Sequence, residues 1–149
     1  MPVAKRNTLS KSERLHGRNA VENLFGKAKR SSMVVFPLRA VYTLADSGAD
    51  GEESVRMLVS VSKRHFKRAV KRNRAKRQVR EAYRKNKHAL QDTVAGMVGS
   101  TLSVAFVWLS DEPQSTEEVE TSVCALITRI SERVRHIYES RERESAEKT

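Results

Sequence analysis

One segment carries almost all of the net charge of this chain. Between Lys63 and Lys87 there are thirteen Lys or Arg residues and a single acid, Glu81, which amounts to +12 in a chain whose formal net charge is +11. The rest of the chain therefore sums to about −1. A localised positive field of this kind attracts a polyanion, such as nucleic acid or an anionic membrane, rather than a small neutral substrate.

The basic segment also has the spacing of an amphipathic helix over residues 69–86. A single arc of that helix collects its few apolar side chains, Ala75, Val79, Ala82 and Tyr83. We therefore expect it to pack on a core, unlike a free localisation tail. Because the apolar stripe is thin and neighbouring guanidinium groups repel one another, core burial alone would stabilise this helix weakly. A polyanion would relieve the repulsion, and a planar guanidinium can bridge two phosphate oxygens.

Three stretches predict β-strands. The first, "MVVFPLRAVYTL" (33–44), is β-branched and aromatic, and Pro37 in its middle leaves open two short strands or one bulged edge strand. "VRMLVSVS" (55–62) alternates apolar and polar residues, and we expect it to form an antiparallel hairpin with the first stretch. "TLSVAFVWL" (101–109) is the most apolar run, typical of a strand buried on both faces, so we assign Phe106 and Trp108 to the core.

Two further helices are predicted. Residues 12–28 show apolar residues at three- and four-residue intervals, although Gly17 weakens the pattern. Residues 115–138 give the strongest pattern, because Ser115 and Glu118 fit a capping box and a sustained 3.6-residue apolar stripe follows. The stripe consists of Val119, Val123, Leu126, Ile127, Ile130, Val134, Ile137 and Tyr138.

The length and composition suit a single domain. With 149 residues and 38% hydrophobic content, the chain can bury one modest core. We expect a domain over residues 9–138, a basic N-terminal extension over 1–8 and a charged, disordered tail over 139–149. The start "MPVAKRNTLS" lacks the apolar run of a signal peptide, and the lone Cys124 cannot form an internal disulfide. We expect a soluble cytoplasmic protein that has no membrane partner.

The absence of known DNA-binding motifs from the sequence favours RNA over DNA as the polyanion. It shows no zinc-ligand spacing, no basic-zipper heptads and no convincing helix-turn-helix, so we expect no DNA partner. RNA binding through phosphates and 2′-hydroxyl groups fits better. The four histidines are scattered without paired metal-ligand spacing. We predict no catalytic residue and no metal site in the isolated protein.

The string "SVSKRHFKRAVKRNRAKRQVREAYR" (60–84) resembles the signature of the protein subunit of bacterial ribonuclease P. In that family a strand leads to a helix that carries R-N-R-x-K-R, which stands here at residues 72–77. "RNTLSKSERL", "LFGKAKR", "FPLRAVYTL" and "VAFVWLS" follow the family's order of elements. The resemblance implies one α+β domain with an approximately four-stranded mixed sheet and three helices, in the order α-β-β-β-α-β-α. It also implies a left-handed β-α-β crossover around the basic helix.

The resemblance implies a function as well. Ribonuclease P cleaves precursor tRNA to make the mature 5′ end, and its RNA subunit and substrate hold the Mg²⁺ ions, so this chain would be a non-catalytic subunit of an endoribonuclease. Its partners would be the catalytic RNA and precursor tRNA. The residues implied to contact the catalytic RNA are Lys67, Arg68, Arg72, Asn73, Arg74, Lys76, Arg77, Arg80 and Arg84.

A cleft between the basic helix and the sheet would receive the single-stranded 5′ leader of the precursor. The residues implied to face the leader are Phe25, Phe36, Tyr42 and Lys63. The first helix of the family often offers two aromatic residues four apart, whereas this chain has Val21 at the earlier position. Two alternatives stay open: a ribosomal-type or RNA-chaperone protein, and a protein-only nuclease, which would require clustered acids or a histidine pair.

Overall fold

The computed structural model describes residues 30–46, 55–97 and 99–147. The described elements are β1 (Ser31–Val35), β2 (Leu38–Asp46), β3 (Val55–Ser60), α1 (Ala69–Asn86), α2 (His88–Ala95), β4 (Ser100–Trp108) and α3 (Thr116–Glu147). The helix predicted over 12–28 and the extension over 1–8 lie outside the described residues.

The four strands form one mixed sheet in the order β1-β2-β4-β3. β1 and β2 are antiparallel, β2 and β4 are antiparallel, and β3 runs parallel to β4. A turn at Phe36 and Pro37 divides the stretch 33–44 into β1 and β2, which confirms the four-stranded sheet.

The hairpin that we expected between residues 33–44 and 55–62 is wrong. β4 lies between β2 and β3 and pairs with both of them. A central strand has ladder partners on two sides, which suits the most apolar run of the chain. The expected burial on both faces is not found: one face is buried at Leu102, Val104, Phe106 and Trp108, whereas the other is half-buried except at Ala105. Phe106 and Trp108 of this strand are 0% and 1% exposed, so their assignment to the core is confirmed.

The parallel pair β3–β4 is joined through α1 and α2, which makes a β-α-β unit. This is the crossover that the resemblance implied, and its hand stays a prediction. The short helix α2 was not predicted, because only Leu90 and Val94 face the core in its eight residues. Two apolar positions are too few to show a helical period.

α1 and α3 cover one face of the sheet and complete the core. Tyr83 of α1 lies against Phe106 of β4, with ring centroids 6.0 Å apart and a tilt of 59°. The stripe of α3 is buried from Val119 to Val134, and Ile137 and Tyr138 are partly buried against the same cluster. The amide of Glu118 donates to Ser115 Oγ at 3.1 Å, as expected of a capped first turn.

α3 continues to Glu147, so the disordered tail predicted over residues 139–149 is wrong for residues 139–147. These residues are exposed and make no apolar contact of their own with the core. They are mostly Glu, Arg, Ser and Ala, and extending an existing helix is easier than starting one. Arg141 also donates from Nη1 to the carbonyl of Leu44 at 2.9 Å. Within the described ranges, every helix is too short or too polar to span a bilayer.

Candidate nucleic-acid interface

α1 separates an apolar face from a basic one, as its sequence predicted. Its buried residues are Ala75, Val79, Ala82 and Tyr83. The exposed side chains include Asn73, Arg74 and Arg77, whereas Lys76 and Arg80 are half-buried. Lys67 and Arg68, just before the helix, are exposed too. The helix therefore presents a continuous row of cationic groups to solvent while its opposite face holds it on the core.

Arg72 has a second role that the sequence did not reveal. Its Nη1 donates to the carbonyl oxygens of Phe66 and Lys67, at 2.9 and 2.8 Å. These bonds close the turn that leads from β3 into α1, where the N-cap residue Arg68 makes no side-chain capping bond. Arg72 thus sets the direction in which the basic helix starts, and only its remaining N–H groups are available to a phosphate.

Arg84 is paired within the helix. Its Nε donates to Glu81 Oε2 at 3.0 Å, and its Nη2 bonds the other carboxylate oxygen. This hydrogen bond lowers the pKa of Glu81 and raises the pKa of Arg84 from their ordinary values. The single acid of the basic segment therefore stays ionised and offsets one particular arginine, which weakens the case for Arg84 as a phosphate ligand.

The four residues expected at the leader cleft differ in their exposure to solvent. Phe25 lies outside the described residues. Phe36 is 64% exposed at the β1–β2 turn, and Lys63 is exposed directly after β3. Tyr42, by contrast, is 2% exposed, so its ring is not available to stack on a base. We correct that expectation.

The reason is the alternation of side chains along β2. Tyr42 shares its face of the strand with Leu38, Ala40 and Leu44, and all four belong to the core cluster. Burial raises the pKa of Tyr42, although Arg133 and hydrogen bonds with Ser31 and Arg133 oppose that shift. Tyr42 is a core residue whose hydroxyl is held by β1 and α3.

The strand register brings the remaining leader candidates to one end of the sheet. Leu38 pairs with Trp108, and Ser60 pairs with Val107. The start of β2, the end of β3 and the end of β4 therefore lie side by side. Phe36 precedes β2, Lys63 follows β3, and α1 begins shortly afterwards. An exposed aromatic and an exposed basic side chain thus lie at the same end of the sheet, with β4 between the strands that lead to them. Single-stranded nucleic acid that crosses this end could stack on the one and be neutralised by the other.

Phe36 also lines an open groove of about 570 Å³ against the first turns of α3. Glu117 and Glu118 lie on the other side of that groove. Two carboxylates disfavour a phosphate there, so a polyanion that stacks on Phe36 is expected to approach from the side of Lys63.

The basic segment is tied to the loop that joins β4 to α3. His65 Nδ1 lies 2.7 Å from Asp111 Oδ1, and Gln78 Nε2 donates to the carbonyl of Gln114 at 3.0 Å. Neither bond could be predicted from the sequence, because the partners are 46 and 36 residues apart. Both bonds fix the loop beside the first half of α1.

Metal and nucleophile candidates are few. Residues 30–46, 55–97 and 99–147 contain no group of three or more His, Cys, Asp or Glu side chains placed to hold a metal ion. Burial and the nearby Glu120 raise the pKa of the half-buried Cys124, so its thiol stays protonated near neutral pH and is a poor nucleophile.

Comparison with known proteins identifies the family of this chain. The family model described as Ribonuclease P matches residues 9–131. Proteins named Ribonuclease P protein component, from two strains of Porphyromonas gingivalis, are 46% identical over 124 residues, which cover 83% of this chain and 86% of theirs.

Solved structures show the same fold. The ribonuclease P protein of Thermotoga maritima superposes with a TM-score of 0.57 at 21% identity, covering 79% of this chain and 97% of that one. The Staphylococcus aureus protein gives 0.56 at 18% identity, covering 81% and 96%. The chain belongs to the family of ribonuclease P protein components, which serve in the endoribonuclease that processes the 5′ ends of tRNAs.

Proposed function

We propose that the basic face of α1 docks this protein onto the catalytic RNA of ribonuclease P. The observation that carries the proposal is the segregation of charge: the eighteen residues of α1 include eight basic side chains and one acid, and the apolar face of the helix is already used by the core. Among the residues that the structure describes, no equivalent set of acids neutralises the cationic face. A phosphate backbone supplies the missing negative charge.

The side chains proposed to contact the catalytic RNA divide by exposure and by existing partners. The exposed set is Lys67, Arg68, Asn73, Arg74 and Arg77, and the half-buried set is Lys76 and Arg80. Arg72 and Arg84 are proposed as weaker contributors, because the loop carbonyls and Glu81 already engage their guanidinium groups. Most of these contacts would go to phosphates and would carry little sequence preference.

We also propose that the 5′ leader of precursor tRNA crosses the end of the sheet at Phe36 and Lys63. The exposed Phe36 ring offers a surface for a base, and Lys63 offers charge for a neighbouring phosphate. Phe25 remains part of this proposal from the family resemblance alone. Tyr42 does not, because it belongs to the core.

In this proposal the protein contributes binding rather than bond cleavage. Mg²⁺ held mainly by the RNA subunit and the substrate would activate water and stabilise the leaving oxygen. The cationic face would reduce the repulsion between two RNA backbones, which otherwise needs a higher concentration of free cations. The protein should therefore matter most at low Mg²⁺.

The test is cleavage of precursor tRNA at low Mg²⁺ by a bacterial ribonuclease P RNA alone, by the protein alone and by both together. We expect strong stimulation, with cleavage at the mature 5′ end, only when both are present. An absence of stimulation by a cognate RNA would favour a general RNA chaperone. Cleavage by the protein alone would favour a protein-only nuclease.

A further inference from the structure

His65 lies in the turn between β3 and α1 and bonds the loop that joins β4 to α3. Its Nδ1 is 2.7 Å from Asp111 Oδ1. An ionised carboxylate only accepts hydrogen bonds, so Nδ1 carries the proton of this bond. In a neutral imidazole the other ring nitrogen, Nε2, then holds a lone pair. Asp111 therefore makes Nε2 the accepting nitrogen of a neutral His65.

Nε2 of His65 is open to a ligand. Among the residues that the structure describes, none forms a hydrogen bond with this nitrogen. The His65 side chain is 17% exposed, and Nε2 does not belong to the buried side-chain atoms of the described residues that lack a hydrogen bond. Because Nε2 has no such partner and is not buried, it reaches solvent.

The turn holds His65 in place before any ligand binds. The amides of His65 and Phe66 both donate to the carbonyl of Ser62, at 3.1 and 3.3 Å. Phe66 is 5% exposed and packs against Trp108, with ring centroids 6.1 Å apart. Trp108 Nε1 donates to the carbonyl of Ser110 at 2.8 Å, in the loop that carries the carboxylate. Because the turn and the loop are both anchored to the core, the imidazole loses little conformational freedom on binding.

Exposed cations flank His65 along the chain. Lys63, Arg64 and Lys67 lie within two residues of it, and all three are exposed. Asp111, whose side chain is 80% exposed, sets one negative charge against these three positive ones. The surroundings of the imidazole are therefore net positive, which favours the phosphate backbone of a nucleic acid as the ligand.

The chemistry of that backbone decides what Nε2 can bind. Phosphate oxygens and the ring oxygen of the sugar only accept hydrogen bonds, and so does Nε2 of a neutral imidazole. The donor that an RNA backbone offers is the 2′-hydroxyl group, which DNA lacks. An accepting nitrogen set among cations that attract phosphates is thus matched to a ribose.

We propose that His65 Nε2 accepts a hydrogen bond from a 2′-hydroxyl group of RNA and so makes this protein prefer RNA to DNA. Asp111 is a positioning residue, because it fixes which ring nitrogen carries the proton. The flanking cations hold the neighbouring phosphates. The ribose belongs to the catalytic RNA or to the 5′ leader, since Lys67 is proposed above to contact the one and Lys63 the other. The inference rests on the RNA binding proposed above and adds a site that recognises the sugar.

The first test compares His65→Asn with His136→Asn, the same change at an exposed position of α3. The amide nitrogen of asparagine can take the place of Nδ1 and keep the bond to Asp111, whereas nothing replaces Nε2. Single 2′-deoxy substitutions are placed in a bacterial ribonuclease P RNA and in the leader of precursor tRNA. Binding of the protein to that RNA, and of the holoenzyme to the precursor, is measured at pH 8, at the upper end of the range in which histidine changes its charge.

For the wild type, we expect one 2′-deoxy position to weaken binding about 2–10-fold, the loss of one hydrogen bond. The same position should have its full effect with His136→Asn and no effect with His65→Asn. The strand that contains it, catalytic RNA or leader, supplies the ribose. If every 2′-deoxy effect of the wild type persists in His65→Asn, the proposal is overturned.

The second test removes the positioning carboxylate. In Asp111→Ala either ring nitrogen can carry the proton, so the penalty of the same 2′-deoxy position should shrink. A purely structural role of the pair would instead lower the affinity for unmodified and 2′-deoxy RNA by the same factor. That outcome would contradict the role assigned to Asp111.

If His65→Asn fails to fold, as judged by thermal unfolding, Asp111→Ala and the RNA side decide. A 2′-fluoro group is electronegative but cannot donate a hydrogen bond, so at the sensitive position it should weaken wild-type binding as 2′-deoxy does. Full affinity with 2′-fluoro would show that the ribose does not act as the donor and would overturn the proposal. Failure of the wild type to bind the RNA at all would instead overturn the docking function itself.

Discussion

Side chains of the same charge in the basic segment do different work according to what they touch. Arg77 is exposed on the outer face of α1. Arg72 closes the turn before the helix, and Arg84 bonds Glu81. Of these three arginines, Arg77 is thus proposed for docking, Arg72 holds the loop and Arg84 forms an intrahelical pair. Substitutions of these three arginines should therefore differ in their effects on the salt dependence of RNA binding and on folding, as well as on affinity.

Phe36→Ala tests the leader contact at the exposed turn. Because Phe36 is 64% exposed, its removal should change the free energy of unfolding little. Base stacking on an aromatic ring contributes about 1–3 kcal/mol, so we expect the holoenzyme to bind precursor tRNA at least 5-fold more weakly. Val34→Ala, at a residue that is 50% exposed on β1, is the matched control. Equal losses for precursor and mature tRNA would exclude a leader contact.

Tyr42→Phe tests the buried hydroxyl through pH. The pKa of Tyr42 is raised above its ordinary 10.0, so above that pH the unfolded chain gives up this proton before the folded chain does. Stability from this group is therefore complete below about pH 10 and is lost as the pH rises through the folded pKa. Urea unfolding from pH 8 to 11 should show the wild type losing stability faster than Tyr42→Phe. A constant difference between them would place the hydroxyl in solvent.

At the scale of elements, α1 depends on its neighbours because its own apolar stripe is thin. It packs between β3, β4 and α3 through small residues such as Ala75 and Val79. The loop before α3 adds bonds from Asp111 and Gln114 to His65 and Gln78. The helix is thus held by packing and by polar links, while charged side chains such as Arg74 and Arg77 are exposed to solvent.

Glu81→Gln should strengthen RNA binding. It removes the single acid of the basic segment and releases Arg84 from its pair. We expect affinity for the catalytic RNA to rise several-fold and the slope of log K against log salt to steepen by about 0.7–0.9, which corresponds to one more phosphate contact. Glu120→Gln, the same change on α3, should leave the slope unaltered. A slope that does not change in Glu81→Gln would mean that Arg84 does not reach the RNA.

A chain that ends at Tyr138 tests the extension of α3. Circular dichroism should show the loss of the helical signal of residues 139–147. The free energy of unfolding should fall by only about 1–2 kcal/mol, mainly from the bond between Arg141 and the carbonyl of Leu44. Arg141→Ala in the full chain should reproduce that loss of stability and keep the helical signal. An unchanged signal per molecule after truncation would restore the disordered tail.

At the scale of the molecule, charge is divided between elements that lie against one another. α1 carries eight basic residues and one acid, whereas α3 carries five basic residues and eight acids. The two helices pack together, yet only one of them presents a positive field. Such a distribution orients the protein on a polyanion before any close contact forms.

Arg77→Ala and Arg135→Ala test this division with equal losses of charge. Arg135 is exposed on α3, about 28 Å along that helix from Thr116, which Gln78 contacts. We expect Arg77→Ala to lower the salt slope of binding to the catalytic RNA by about 0.7–0.9. Arg135→Ala should leave it unchanged. Equal slopes for the two variants would show that net charge, and not the face of α1, governs binding.

Local patterns of the sequence determined much of this protein. The basic run, the thin stripe of Ala75, Val79, Ala82 and Tyr83, and the long stripe of α3 depend on residue spacing within one element, which a sequence displays directly. The motif at residues 72–77 identified the family for the same reason.

Only the tertiary structure decided which elements lie side by side and which way their side chains face. β4 separates β2 from β3, and Tyr42 faces the core rather than a ligand. Gln78 of α1 and Trp108 of β4 line one cavity together with Pro113 of the loop that follows β4. These relations join residues that are far apart in sequence. They depend on the sheet register and on how the helices pack, and neither can be derived from the spacing of residues within one element.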